Sequence, residues 1–378
     1  MKVLITGANG FIGKNLDVQL SRREGFEILR YTRESTIDEL RQAVANADFI
    51  CHMAGSNRPT DISEFARDNT DFTRDLCEIL RQSERPVPII FASSMHAEND
   101  VHNEENNQLS ALYGASKKAA EHVLLQHSEE TGVPVYIFRL PHVIGKWCRP
   151  NYNSVVATFC YNIARDLPIQ IVAPNYQLKL VYIDDLVSHF VQIMLGEGTF
   201  NSYCEVQPIY PITVGALADQ ILAFQDCRSD WLSERVGSGL TRALYATYIS
   251  YLPAEKFSYA LQEHSDPRGI FVEILKTKDS GQFSFFTAHP GVTRGGHYHH
   301  SKVEKFLVLK GHARFRFKHI LTDECYELNI VGDEPKIVET IPGWAHDITN
   351  IGEDEMIVVL WANEIFDKNT PDTYAYSV

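Results

Sequence analysis

The chain lacks several features that would have narrowed its class at once. It has no uninterrupted apolar run of membrane-spanning length, which argues against a helical membrane protein. It has no C-x-x-C pair. Its seven cysteines, at 51, 77, 148, 160, 204, 227 and 325, are scattered and odd in number, so neither a disulfide framework nor a zinc ribbon is expected. Positive charge is scarce: 35 Lys and Arg face 49 Asp and Glu, a formal net charge of −14 at pH 7. That balance argues against loose binding to nucleic acid or to an anionic membrane surface. Internal repeats and low-complexity tracts are also missing. Met1–Gly7 runs into a strand and a glycine turn, unlike a signal peptide, and with the free thiols this gives a cytoplasmic expectation.

What is present is 378 residues of globular composition, 44% apolar and 22% charged, enough for two domains. From Met1 to about Tyr251, β-branched runs alternate with helical ones. Lys2–Thr6, Glu27–Tyr31, Ala47–Met53, Pro88–Ser93, Val135–Leu140 and Ile169–Val172 read as strands, and Thr36–Ala45, Asp61–Arg81 and Ser110–Ser128 as helices. Such alternation implies an α/β, doubly wound parallel sheet covered on both faces. Near Pro253 the texture changes. Ala254–Gly269 reads as a polar loop, and beyond it short strands follow one another from Phe271 to Ala362 without long helices, an all-β barrel or sandwich. The expected division is 1–252 and 253–378.

Gly7-Ala8-Asn9-Gly10-Phe11-Ile12-Gly13 lies between the first strand and the first helix. Glycines there let the backbone turn tightly and approach a pyrophosphate, whose charge the helix N-terminus stabilises. Gly7, Asn9, Gly10, Phe11, Ile12 and Gly13 are therefore candidate cofactor contacts. After the second strand no acid appears until Glu34, whereas Arg33 suits the 2′-phosphate of NADP, so NADPH is the expected cofactor. Tyr113 and Lys117 stand four apart on a helix, hence on one face. There the ammonium is expected to lower the phenol pKa, so that Tyr113 passes a proton to a developing alkoxide. Ser93 and Ser94 end the preceding strand and offer a hydroxyl for the same oxygen. The simpler readings are a structural turn, a solvated arginine and strand-end capping.

These motifs occur in one order, together with Asp48–Gly55, Asn69, Arg139–Gly145 and Tyr182–Asp185. Residues 1 to about 250 thus resemble the extended short-chain dehydrogenase/reductase family, which implies a Rossmann-type fold and nucleotide-sugar substrates. The resemblance makes Tyr113 the acid/base, Lys117 the group that orients the nicotinamide ribose, and Ser94, rather than Ser93, the hydroxyl on the reacting oxygen. It adds Ala54 and Gly55 to the cofactor contacts. Met95-His96-Ala97-Glu98 departs from the family pattern. Asp184 and Asp185 read as caps of the next helix. Lys146–Asn153 mixes cations, aromatics and amides; with the preceding motif it nominates Pro141, His142, Arg149 and Asn153 as substrate contacts, against an ordinary polar loop.

The second half contains Gly291-Val292-Thr293-Arg294-Gly295-Gly296-His297-Tyr298-His299-His300-Ser301-Lys302-Val303-Glu304, then Gly311. Alternate strand residues share a face, so His297 and His299 point together, Glu304 closes from the next strand, and His346 offers a fourth ligand. His300 is a spare imidazole that replaces His299 if the strand bulges. Three His and one Glu suit Zn, Fe, Mn or Ni, with zinc the working expectation for a divalent metal. The pattern resembles the first motif of the cupin family, a jelly-roll barrel, and Pro342-Gly343…His346…Asn350 resembles the second, short of one residue.

A hydride donor joined to a metal-binding barrel suggests two steps on one 4-keto sugar nucleotide, C3 epimerisation and C4 reduction. Tyr298, His300 and Lys302 are unranked candidate bases. The whole chain resembles the fused reductase–cupin enzymes of bacterial surface-polysaccharide biosynthesis. That group epimerises UDP-2-acetamido-2,6-dideoxy-L-arabino-hexos-4-ulose at C3 in the cupin half and reduces C4 in the other half. The product is UDP-2-acetamido-2,6-dideoxy-L-talose, on the route to UDP-N-acetyl-L-fucosamine. The resemblance implies a homodimer with a UDP-sugar substrate. Three other readings stay open: a 4-ketoreductase whose cupin binds ligand without turnover, an NADPH-sensing interaction protein, and a reductase fused to an iron dioxygenase.

Overall fold

A computed structural model describes residues 1–83, 85–98, 108–197 and 201–378. The chain forms two compact units, Met1–Ile221 with Ala243–Leu252, and Leu222–Arg242 with Pro253–Val378. The division departs from a single boundary at residue 252, because a short strand at Leu232–Ser233 pairs in parallel with Lys276–Thr277 and draws residues 222–242 into the β-rich unit.

The first unit is doubly wound. Its strands are β1 (Lys2–Thr6), β2 (Glu27–Tyr31), β3 (Phe49–His52), β4 (Ile89–Ser94), β5 (Val135–Leu140), β6 (His142–Ile144), β7 (Gln177–Tyr182), β8 (Tyr203–Cys204) and β9 (Tyr210–Thr213). Six form a parallel sheet in the order β2-β1-β3-β4-β5-β8, while β6, β7 and β9 form a small second sheet. The helices are α1 (Phe11–Leu20), α2 (Ile37–Asn46), α3 (Ser63–Phe65), α4 (Phe72–Ser83), α5 (Gln108–Thr131), α6 (Val155–Ile163) and α7 (Ile183–Met194); α8 (Val214–Asp230) and α9 (Gly239–Ile249) each belong partly to this unit and partly to the second. The central strands are buried along their length, as a sheet covered on both faces requires. Leu4, Ile50, Ile89, Phe91 and Ile137 pack there against Leu40, Val44, Leu76, Leu80, Ala120 and Leu124 of the helices. Thr36 caps α2 reciprocally with Glu39, which is why that helix begins where the sequence places it. Between α3 and α4 the winding widens to a π-helical turn at Ala66–Asp71, so the expected helix over 61–81 is not one regular cylinder. Ile169–Val172 forms no strand: Val172 is 84% exposed and finds no neighbouring strand.

The second unit contains β10 (Leu232–Ser233), β11 (Glu263–Asp266), β12 (Gly269–Thr277), β13 (Gly281–Ala288), β14 (Thr293–Tyr298), β15 (Glu304–Lys310), β16 (His312–His319), β17 (Cys325–Val331), β18 (Ile337–Glu339), β19 (Trp344–Asn350), β20 (Met356–Ala362) and β21 (Tyr374–Ala375). One sheet runs β10-β12-β13-β20-β15-β18, with β11 on β12, and the other runs β17-β16-β19-β14-β21. The expected loop over 254–269 therefore ends in a hairpin strand, β11, whose four exposed polar residues carry no apolar alternation to announce it. Elsewhere the period of two is plain. Ala313, Phe315 and Phe317 of β16 and Met356, Val358 and Leu360 of β20 turn inward and meet in one core. Each fully buried Phe or Leu there contributes about 1.5–3 kcal/mol. Glu304 shares the inward parity of Phe306 and Val308 on β15, so a carboxylate enters this apolar interior. Among the described residues no helix is long and apolar enough to cross a membrane.

Candidate functional site

The glycine turn closes over the C-terminal ends of β1 and β3. Gly7 adopts φ +67°, and a Cβ there would stand 2.8 Å from Ala54; a Cβ on Gly13 would stand 2.3 Å from the Gly7 carbonyl oxygen. Only bare backbone fits, so α1 reaches the strand end closely. Gly10 is its N-cap, no side chain caps it, and no acid occupies its first turn, which leaves the helix's positive end open to an anion. Asn9 and Gly10 are exposed, Phe11 and Ile12 half-buried, and Ala54 and Gly55 lie at the end of β3 alongside. Arg33, two residues past β2, is exposed and donates to Asp68 at 3.2 Å.

Ser93 and Ser94 occupy one strand end and do different things. Consecutive residues face opposite ways. Ser94 meets the Tyr113 hydroxyl, whereas Ser93 donates to the buried carboxylate of Glu121. The approach of α5 depends on Gly114, where a Cβ would fall 2.3 Å from the His96 carbonyl oxygen; that contact brings Tyr113 onto β4. Phe65 and His96 flank the phenol ring. Lys117 is buried, donates to the Ala92 carbonyl at 2.9 Å and sits 4.6 Å from the Phe91 ring centroid. Asn69 of the π-turn ties Ser56, on the loop after β3, to Ser116 of α5.

The expectation that Lys117 lowers the phenol is reversed in this structure. Burial pushes Tyr113 up to about 12, against the opposing Ser94 bond. Burial likewise brings the Lys117 ammonium down to about 8, although Glu121 opposes it. Lys117 is removed from water and Tyr113 is half-buried, and the tyrosine holds its proton through neutral pH.

Of the expected substrate contacts, Pro141 and His142 are half-buried beside β6, and burial lowers His142. Arg149 and Asn153 are exposed on the following loop, with the Arg149 guanidinium 4.9 Å from the Tyr152 ring centroid. Tyr152 donates in turn to the Arg58 carbonyl at 3.1 Å. Asp184 and Asp185 lie in the first turn of α7, but no side chain caps that helix; Asp184 instead accepts from Lys146 at 2.7 Å and Gln19 at 2.8 Å.

In the β-rich unit, His297, His299, Glu304 and His346 each offer one donor atom, all within 4.8 Å of one another. They come from both sheets: His297 from β14, His346 from β19, Glu304 from β15. His299 and His346 lie 3.2 and 3.3 Å from one Glu304 oxygen. Burial lowers His297 to about 4, holding it neutral, which is the form a metal needs. Burial alone would raise Glu304, but its bonds to His299 and His346 and the Lys302 charge bring it well below the usual carboxylate range. The His346 Nδ1 is buried without a partner. Four convergent N and O donors from three His and one Glu fit a divalent cation. His300 is exposed and packs on Tyr298 and Tyr374, outside this group. Lys302 is the one candidate base that reaches it, 3.6 Å from Glu304.

Residues 3–201 match the NAD dependent epimerase/dehydratase family, and residues 264–374 match the Polysaccharide biosynthesis C-terminal domain. A Pseudomonas aeruginosa protein named UDP-2-acetamido-2,6-beta-L-arabino-hexul-4-ose reductase is 56% identical over the whole chain and 99% of its own length. The chain belongs to the NAD dependent epimerase/dehydratase family. The capsular polysaccharide assembling protein CapF of Staphylococcus aureus superposes with TM-score 0.90 at 40% identity, covering both chains fully. The UDP-glucuronic acid 4-epimerase of Bacillus cereus, at 15% identity and TM-score 0.55 over 66% of this chain, shares the fold of the α/β part.

Within this epimerase/dehydratase member, two buried networks support the α/β site without an obvious mark in the sequence. Glu121, fully buried on α5, accepts from Ser93, from Tyr203 at 3.1 Å and from Arg139 at 2.7 Å. Its spacing of four from Lys117 and the Arg139 motif were the available clues. His52 bridges Thr6 and Thr73 at 2.7 and 2.9 Å, joining β1, β3 and α4 behind the glycine turn.

Proposed function

We propose that the chain is a two-step nucleotide-sugar enzyme of bacterial capsule or O-antigen biosynthesis. Its β-rich unit epimerises C3 of UDP-2-acetamido-2,6-dideoxy-L-arabino-hexos-4-ulose, and its α/β unit reduces the C4 ketone to give UDP-2-acetamido-2,6-dideoxy-L-talose. One observation carries the reading: Ser94 and Tyr113 meet over buried Lys117, in a chain matched end to end by a 4-ulose reductase.

NADPH, when bound, supplies a hydride. Gly7, Asn9, Gly10, Phe11, Ile12, Gly13, Ala54 and Gly55 line its path, the uncapped start of α1 receives the diphosphate, and Arg33 takes the 2′-phosphate. Ser94 donates a hydrogen bond to the C4 oxygen while Tyr113 gives that oxygen its proton. Tyr113 suits this role because its hydroxyl meets that of Ser94, so both reach the same oxygen, and it carries its proton at neutral pH. Lys117 orients the ribose. Pro141, His142, Arg149 and Asn153 border the sugar and its diphosphate, to which Arg149 is the complementary charge.

His297, His299, Glu304 and His346 would hold a divalent metal, with zinc the first choice; such an ion supplies Lewis acidity at a ketone oxygen. The C3 proton is acidic because it lies α to that ketone. Tyr298, His300 and Lys302 are the candidates for removing it; Lys302 alone touches the donor group, as an ammonium paired with Glu304 that must first give up a proton to act as the base.

Incubating the 4-keto sugar nucleotide in D₂O separates the two steps. Deuterium enters C3 without NADPH, and C4 is reduced only with it. C3 exchange that survives His297→Ala rules out epimerisation in the β-rich unit and leaves a reductase with a non-catalytic barrel.

A further inference from the structure

His299 is held from behind. Its Nδ1 donates to the backbone carbonyl of Asp372 at 2.5 Å, so Nε2, 3.2 Å from the Glu304 carboxylate, is the nitrogen left to turn to the donor group and, once it has given up its proton, to take a metal. The side chain of the same aspartate grips the three residues that follow. Its Oδ1 accepts from the His300 amide at 2.8 Å; its Oδ2 accepts from the Ser301 amide at 2.7 Å, the Lys302 amide at 2.8 Å and the Ser301 hydroxyl at 3.0 Å. Three successive amides around one carboxylate form an anion nest, closed here by the chain itself. The neighbours extend the grip. Thr373 accepts from Lys302 at 3.1 Å, and β21 pairs with β14 so that Ala375 lies opposite His297 and Tyr374 opposite Tyr298.

The segment His297–Glu304 leaves β14, supplies three of the four donors and enters β15. Only His297 and Glu304 sit in regular strands; His299 lies on the turn between them, where no ladder fixes it. Without the Asp372 carboxylate, the exposed His300 and Ser301 amides and the part-buried Lys302 amide would lose their acceptor, and the segment that carries the Asp372 carbonyl would lose its anchor on the turn, loosening its hold on the His299 ring.

We propose that Asp372 is a positioning residue for the metal centre, setting the His299 tautomer through its carbonyl and the shape of the ligand turn through its carboxylate. The proposal rests on the reading that His297, His299, Glu304 and His346 hold a divalent cation. Partners of this kind affect metal affinity by about 10–100-fold.

The test is a chelator-competition titration of the full-length protein with Zn²⁺, repeated with Co²⁺ by absorption, on the parent, Asp372→Ala and Asp372→Asn. The Asn variant keeps the volume and one acceptor oxygen, and decides the matter if the Ala variant does not fold. The expected result is a Zn²⁺ affinity about 10–100-fold weaker in the Ala variant, a smaller loss in the Asn variant, and altered Co²⁺ bands in both. In the zinc-loaded parent, nitrogen-15 NMR should show His299 bound through Nε2 with its Nδ1–H on the Asp372 carbonyl, a bond that weakens in both variants as the segment carrying that carbonyl loses its grip on the turn. Parent binding matched within about twofold by both folded variants, with unchanged Co²⁺ bands, overturns the role of Asp372 alone. A parent that takes up neither ion overturns the metal reading and this proposal with it.

Discussion

Replacing Glu121 by Gln tests whether the buried carboxylate behind the catalytic strand holds the α/β unit together. Glu121 is fully buried, and Arg139 reaches both its oxygens, Nε at 3.1 and 3.2 Å and Nη2 at 2.7 Å. Glutamine keeps Oε1 for Ser93 and the guanidinium Nε, but presents an amide N–H to Nη2, donor against donor. Breaking a buried pair from one side costs about 3–5 kcal/mol, because the remaining charge stays desolvated. The Arg139 side chain is 26% exposed, so water recovers part of that loss and the low end, about 3 kcal/mol, applies. The assay is urea unfolding of the parent, Glu121→Gln, Arg139→Met and the double variant. The double variant should lose less than the sum of the singles by about 2 kcal/mol, since the second substitution removes the stranded charge. A Glu121→Gln protein within about 0.5 kcal/mol of the parent would refute the reasoning.

Three further outcomes follow from the same geometry. Ser93→Ala should lower stability with little change in kcat, whereas Ser94→Ala and Tyr113→Phe should cut kcat by about 10²–10⁴ in NADPH-dependent reduction; equal effects of the two serines would contradict the assignment. Lys117→Met should raise the unfolding midpoint at pH 7 while abolishing reduction. Burial brings Lys117 from 10.5 to about 8, so between those values the unfolded chain holds a proton the folded chain lacks. Its contribution to stability therefore rises with pH through that window and stays at its least favourable below it, a penalty of about 3 kcal/mol at pH 7. A methionine variant less stable than the parent at pH 7 sinks this account. Arg33→Ala should raise KM for NADPH at least about tenfold while leaving KM for NADH nearly unchanged, and parallel changes in both would remove Arg33 from 2′-phosphate recognition.

Much of this architecture was readable from periodicity. The inward sets of β16 and β20 alternate cleanly, and the glycine turn follows an apolar strand, so class and order of elements came from the chain alone. β11 was missed because an edge strand of Glu, His, Ser and Asp leaves no apolar trace, and its pairing is tertiary. Ile169–Val172 was taken for a strand on β-branched content, but propensity without a neighbouring strand to bond forms no ladder. At the site, donor residues with regular spacing were legible: Tyr113 and Lys117, and His297, His299, Glu304 and His346. Their supports were not. Glu121 is one glutamate among many on a helix, and Asp372 acts across about seventy residues of intervening chain, so only the folded backbone reveals either. The sign of the Tyr113 shift was misjudged for a related reason: charge spacing is visible in a sequence and desolvation is not.

The wide turn at Ala66–Asp71 has an evolutionary consequence. An α-helix advances about 100° per residue, so a π-turn records one residue more than regular winding needs. Excising a single residue there would heal the hydrogen-bond ladder and leave Phe65 flanking the Tyr113 ring, because the wide turn already absorbs the extra residue's rotation; what it would displace is Asn69, which ties Ser56 to Ser116. A gap inherited across this stretch is thus absorbed by the winding and felt by Asn69, so a one-residue deletion should cost the α/β unit the Ser56 and Ser116 ties rather than the direction of the helix.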